Sequence, residues 1–308
     1  MASTQRRVFL AAQWIFAGAV VWYAVSALRG QWDGAAGRLG SLEIQWGWVV
    51  LATAIVVGTY LLLIDTWRKI VVAAGERLPF GDAARIWFVS NLGKYVPGKI
   101  WSIAAMTVMA RRTNVSALTA AGSSILIQVV TVAAGIGVVL VAGAQAIDRP
   151  LVAFALAALL VFALALVPRA IPQIARWAAA ITGRSITLPP IPAGVIWEAT
   201  ARSLLSWVAY GIAFQCFVRG ILGSTTGGTL SYIAVYAASY IIGFLALFAP
   251  GGAVVRESAM ITGMLRLGLS GQADALVVAV ASRIWLTVTE LLPGLVYLAL
   301  GKQSPKPI

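Results

Sequence analysis

The sequence predicts an all-α integral membrane protein: about seven transmembrane helices plus two Pro-Gly-broken re-entrant hairpins, arranged as an inverted repeat. Three observations carry this. Of 308 residues, 60% are hydrophobic and only 11% charged, with a mean hydropathy of +0.90, whereas soluble domains have about 25% charged residues. Apolar stretches long enough to cross a bilayer, which takes roughly 20 residues, recur along the whole chain. A Pro-Gly pair interrupts this pattern twice, at Pro97-Gly98 and Pro250-Gly251, about half the chain apart.

Taken in order, the apolar stretches lie at 8–28, 46–64, 115–142, 151–168, 195–218, 229–249 and 274–300. The first is too long for a typical signal-peptide core and lacks an obvious small-residue cleavage site, so it is expected to remain as a helix. Two further segments are too short or too broken to cross. One is 83–110, interrupted at Pro97-Gly98. The other continues from 229–249 through "FAPGGAVVRESAM" to Leu267. Trp46, Trp48, Trp67 and Trp197 fall near the ends of spans, where they fit interfacial belts.

Loop charge sets the expected orientation. Arg6 and Arg7, then Arg68, Lys69, Arg77 and Arg85, then Arg111 and Arg112, then Arg169, Arg176 and Arg184, and finally Lys302 and Lys306 fall on one side. The opposite loops are poorer in cations. The positive-inside rule therefore puts both termini in the cytoplasm of a multi-pass cytoplasmic (inner) membrane protein. Arg85 and Arg111 then share a side, so the segment between them must turn back. The "FAPGGAVV" segment must turn back from the other face.

The two Pro-Gly segments align as "NLGKYVPGKIWSIAAM" over "FLALFAPGGAVVRESA". In each half a span precedes the broken hairpin and a long span follows it. The units cover roughly 46–142 and 195–300 and run in opposite directions, as in the inverted repeats of secondary transporters. Proline lacks an amide hydrogen, fixes φ and pushes its predecessor towards extended geometry. Glycine permits the reversal. Pro97 and Pro250 thus each stop one half-helix and start another, whose free N–H groups and positive dipole end must line a cavity or meet a ligand. Two such N-termini would make an anion site near the bilayer centre, formed around Gly98, Gly251 and Gly252.

The side chains near this expected site are few. Lys99 and Lys94 add positive charge, although snorkelling to the interface would also place them. Arg283 and Glu290 lie seven residues apart on one face of the last span, and intramembrane charges point to function by default. A structural ion pair of Arg283 with Glu257 is the competing reading, and both can hold. Glu257 follows the second break closely, as a dipole-complementing acid or as a proton carrier. Its neighbour Arg256 is read as a headgroup contact or a snorkelling cation. Asn91 and Gln128 suit ligand contact or helix packing. Tyr95 suits sugar stacking or an interface. Glu198 and Arg202 read as a local i,i+4 pair.

Other chemistry is excluded by what the chain lacks. A single cysteine, Cys216, forms no intramolecular disulfide, and there is no histidine, which removes histidine metal sites, acid–base pairs and proton relays. No P-loop, nucleophile elbow or zinc motif occurs. No cofactor and no metal are expected. The net charge of +13 forms no compact soluble patch, so it fits contact with anionic headgroups rather than nucleic acid.

"NLGKYVPGKIW" and "APGGAVVRESAM" resemble the two signatures of the lysylphosphatidylglycerol synthase transmembrane family, and the resemblance covers nearly the whole chain. Asn91, Pro97, Gly98, Pro250, Gly251, Gly252, Glu257, Arg283 and Pro293 match its pattern. Two departures stand out. Gln128 replaces a Glu-Arg pair common after the first hairpin, and Val254 stands where a glycine often follows. The soluble aminoacyl-transferring domain has no counterpart here. The resemblance implies lipid translocation rather than lipid aminoacylation, in a flippase-like stand-alone member.

The first functional reading is therefore a transporter for an anionic lipid headgroup, either a polyprenyl-phosphate carrier or a glycerophospholipid. The second is a non-transporting membrane subunit that supports a lipid-linked glycosyltransferase or an envelope-assembly complex. An enzyme acting on lipid phosphate is disfavoured, because no histidine and no paired carboxylates lie near the motifs.

Overall fold

The computed structural model describes residues 42–95, 100–144, 151–161, 191–246, 252 and 254–300, with the isolated positions 163, 166 and 173. The expected first span, Pro97, Gly98, Lys99, Pro250, Gly251 and the side chains of Lys94 and Tyr95 lie outside the described residues. The described part is all-helical. Its helices are α1 (Trp46–Ala73), α2 (Phe80–Asn91), α3 (Ile100–Arg111), α4 (Ala117–Ala142), α5 (Leu151–Val161), α6 (Ala193–Leu222), α7 (Thr229–Leu245), α8 (Val255–Arg266) and α9 (Gln272–Leu300). A short 3₁₀ turn, Leu92–Tyr95, follows α2.

Helices α1, α4, α6 and α9 are long and apolar enough to cross a membrane. α2, α3 and α8 have 12 residues each, about 18 Å at 1.5 Å per residue, well short of a hydrocarbon core of about 30 Å. They fall in the two segments that the sequence marks as too broken to cross. Local chemistry sets several ends. The Ser116 side chain accepts from Thr119 N–H and opens α4, a standard N-cap that satisfies one orphan donor. Asn114 takes a positive φ of 61° in the turn between α3 and α4, a conformation asparagine tolerates better than most residues.

Helix α1 runs past the apolar stretch that announced it. Asp65, Arg68 and Lys69 lie in this extension, where Asp65 and Lys69 meet charges on α6. Arg202 bonds Asp65 at 2.8 Å, Arg68 bonds Asp65 at 2.8 Å, and Lys69 and Arg202 both reach Glu198. The local Glu198–Arg202 pair is thus one edge of a network across two helices. At the other end of α1, Gln45 N–H donates to Gly220 O at 2.8 Å. The start of α1 therefore lies beside the end of α6, and the two run antiparallel in the most extensive helix pairing among the described residues.

The core gathers between α1, α4, α6, α7 and α9, with Trp67, Phe214 and Tyr232 fully buried. Trp67 corrects its expected place in an interfacial belt: it has no exposed surface, and its indole donates to Ser123 Oγ at 3.0 Å. An indole N–H buried between helices must find a partner, and Ser123 supplies it. Trp46 and Trp197 are exposed, as belt residues are, whereas Trp48 lies under the Arg219 guanidinium at 4.4 Å. α6 and α7 approach closely because position 211 is glycine. A Cβ there would lie 2.5 Å from Ile233 Cα.

Candidate functional site

A cavity of about 390 Å³ opens among α1, α2, α3, α4, α6, α7, α8 and α9. Its wall brings together four of the residues that the sequence singles out as site candidates, Asn91, Gly252, Arg283 and Glu290, and it includes Gln128 as well. They come from segments almost two hundred residues apart in sequence.

Each charge in the wall has an identifiable setting. Tyr60 on α1 donates its hydroxyl to Glu290 Oε1 on α9 at 2.9 Å. Arg283 pairs with Glu257 at 3.6 Å, so the ion pair that competes with a ligand role is present. Glu257 also accepts from the Val254 N–H through its second carboxylate oxygen. An acid in the first turn complements the helix dipole, and here it also satisfies a backbone donor. Glu257 is thus a cap and a lock between α8 and α9.

Of the two places read for Arg256, the structure rules out the snorkelling one. The residue is 7% exposed, and it lines the cavity. Its guanidinium carbon lies 5.4 Å from the ring centres of both Tyr236 and Tyr240, within cation–π range. Glycine makes room for it: a Cβ on Gly243 would come within 2.7 Å of Arg256 Cβ. Gly252, in turn, presses on Gly243, since a Cβ at 252 would lie 2.7 Å from Gly243 O. Two side-chain-free positions let the backbone before α8 lie directly on α7.

An aromatic wall completes the cavity. Tyr210 stacks on Tyr236 with ring centres 5.6 Å apart, Trp207 meets Tyr240 edge-on at 5.4 Å, and Tyr60 meets Tyr210 at 6.1 Å. Trp207 is pinned by its indole hydrogen bond to Thr131 O at 2.8 Å. The wall is missed in the sequence, and Arg256 stands there between headgroup contact and snorkelling, although both carry a signal. Tyr232, Tyr236 and Tyr240 repeat every four residues, which puts three polar-tipped rings on one face of an apolar helix. Arg256 stands in a helix first turn with no acid three or four residues away on either side.

Val254, one of the two departures noted in the sequence, stands where the backbone suits glycine. Its φ is 72° and ψ −50°, close to the strained γ-turn, which a β-branched residue adopts only as an outlier. Glycine would hold the same shape without strain. Val254→Gly should therefore stabilise the protein by about 1–2 kcal/mol, visible as a higher melting temperature in detergent. An unchanged or lower value would show that Val254 is unstrained in the folded protein.

Long apolar helices packed around an internal cavity walled by arginines, a glutamate and tyrosines define a multi-pass membrane protein with a polar site inside the bundle. More particularly, the chain belongs to the family of the lysylphosphatidylglycerol synthase TM region, whose family model matches residues 9–294. No curated protein matches the chain.

Proposed function

We propose that this protein is a flippase-like transporter that takes the headgroup of an anionic lipid into the cavity and passes it across the cytoplasmic membrane, both termini being cytoplasmic. The observation that carries this reading is the cavity itself. It places guanidinium groups and hydrogen-bonding side chains inside a bundle whose outer surface is apolar. Such groups are costly to bury in a membrane protein and are kept where they meet substrate.

In this reading the units 46–142 and 195–300 form an inverted repeat whose Pro-Gly segments are re-entrant hairpins. The antiparallel α1 and α6, the first long helix of each unit, support it, as do the short helices α2, α3 and α8. The Pro-Gly breaks would bring the half-helix N-termini at Gly98 and Gly251, with Lys99 and Lys94, to the phosphate beside Arg283, while the acyl or polyprenyl tails stay in the bilayer. Asn91, Tyr95 and Glu290 would contact the rest of the headgroup. The role assigned is transport, not catalysis.

The test is lipid flux in liposomes that contain only this protein. Fluorescent phosphatidylglycerol in the inner leaflet should become accessible to an impermeant quencher faster than in protein-free liposomes. Lipid that co-purifies in native mass spectrometry without any flux would instead favour the subunit that holds a lipid-linked glycosyltransferase.

A further inference from the structure

We infer that Arg256 is the residue that holds the anion in this cavity, and that its ligand is a phosphate oxyanion. This rests on the proposed reading of the cavity and names the group within it that binds. Three independent observations converge on Arg256. Its Nη2 is buried and has no hydrogen-bond partner among the described residues, and the side chain forms no ion pair with any of them. A buried donor without an acceptor is costly, and more so when charged.

The side chain also stands in the first turn of α8, at the positive end of a 12-residue helix. A cation is disfavoured there, whereas an anion is favoured. Fold stability alone gives no reason to put an arginine at that place. An arriving oxyanion reverses both penalties, because it accepts from the guanidinium and faces the helix dipole. Finally, the backbone is shaped around the residue. Gly243 leaves space for its Cβ, Gly252 seats the preceding turn on Gly243, and Val254 holds a strained angle two residues before it. The guanidinium carbon lies over the Tyr236 and Tyr240 rings, while the in-plane N–H groups of the buried Nη2 meet no acceptor among the described residues. Guanidinium pairs with phosphate in that plane, through parallel hydrogen bonds.

Arg283 is the obvious rival, but it is paired with Glu257. The two arginines therefore separate in their effects. Arg256→Met removes a desolvated charge and keeps an apolar side chain of similar length, so the lipid-free protein should melt no lower than wild type. Phosphatidylglycerol should then stabilise wild type in detergent in a concentration-dependent way, with diacylglycerol of the same chains having little effect. In Arg256→Met the apparent affinity for phosphatidylglycerol should fall at least tenfold, as loss of a charge-assisted hydrogen bond implies. Arg256→Lys keeps the charge without the planar fork and should bind several-fold more weakly than wild type.

Wild-type affinity in either variant overturns the assignment, and the lysine variant decides the matter if the methionine variant does not fold. Inorganic phosphate is the third probe. If it stabilises wild type as strongly as phosphatidylglycerol, and Arg256→Met abolishes both effects, Arg256 is an oxyanion site for a soluble ligand and the lipid reading fails alone. If no phosphate-bearing probe stabilises wild type, the anion site itself is refuted.

Discussion

Gly252→Ala should destabilise the protein by about 2–6 kcal/mol, a large effect for one methyl group. Two costs add. The residue has a φ of +70°, a left-handed value that disfavours any Cβ, and strain of this kind costs about 1–3 kcal/mol. The new Cβ would also meet Gly243 O at 2.7 Å and Gly243 Cα at 3.0 Å. These are backbone atoms of a packed helix, which cannot swing away as a side-chain tip would, and overpacking adds about 1–3 kcal/mol. Gly58→Ala is the matched control. Nothing lies within 4 Å of a Cβ at position 58, in the interior of α1, so there alanine should be neutral or stabilising by up to about 1 kcal/mol. Thermal unfolding in detergent reads both. Equal melting temperatures for the two variants would show that the backbone of residue 252 does not rest on α7 as described. A folded Gly252→Ala protein should also bind phosphatidylglycerol more weakly, because the turn that carries Arg256 has been pushed outwards.

The helices were legible in the sequence because their signal is local. Apolar length locates α4, α6 and α9 to within a few residues, and the Pro-Gly pairs mark where the chain is too broken to cross. The overshoot of α1 was not legible. Asp65, Arg68 and Lys69 read as the polar end of a span, whereas Asp65 and Lys69 pair with Arg202 and Glu198 on α6 and Trp67, Ile70 and Val71 beside them are buried in the core. Trp67 fails for the same reason. A tryptophan near a span end suits an interface equally well until Ser123, more than fifty residues away, takes its N–H. For the site, Asn91, Arg283 and Glu290 could be found as polar residues in apolar surroundings. Arg256 had the same credentials, but the habit of long cations to snorkel left its reading open between headgroup and interface. What decides its burial is the pair of glycines at 243 and 252, a contact across two helices that no periodicity reports.

Removing the link between α8 and α9 should be nearly as costly, and it separates structure from coupling. Glu257 does two things: one carboxylate oxygen accepts the Val254 N–H, and the other faces Arg283 at 3.6 Å. That distance is longer than a good hydrogen bond, so the pair is mainly Coulombic. Its side chains are only 25% and 14% exposed, so solvent weakens it less than a surface pair. Glu257→Ala loses cap and pair and leaves Arg283 without this carboxylate, and should cost about 2–4 kcal/mol. Glu257→Gln keeps an acceptor for the cap and loses only the charge, so about half that cost is expected. In a double-mutant cycle with Arg283→Gln, the coupling energy should be about 0.5–2 kcal/mol. If Glu257 is a lock, the glutamine variant should still carry lipid in liposomes at close to the wild-type rate. If it is instead the group that takes up a proton, Glu257→Gln should still bind phosphatidylglycerol but lose all flux driven by a pH gradient. A coupling energy indistinguishable from zero together with abolished flux would remove the lock. Glu257 would then be the coupling carboxylate, and the α8–α9 contact would rest on its other contacts, such as the Ser282 hydroxyl on Met260.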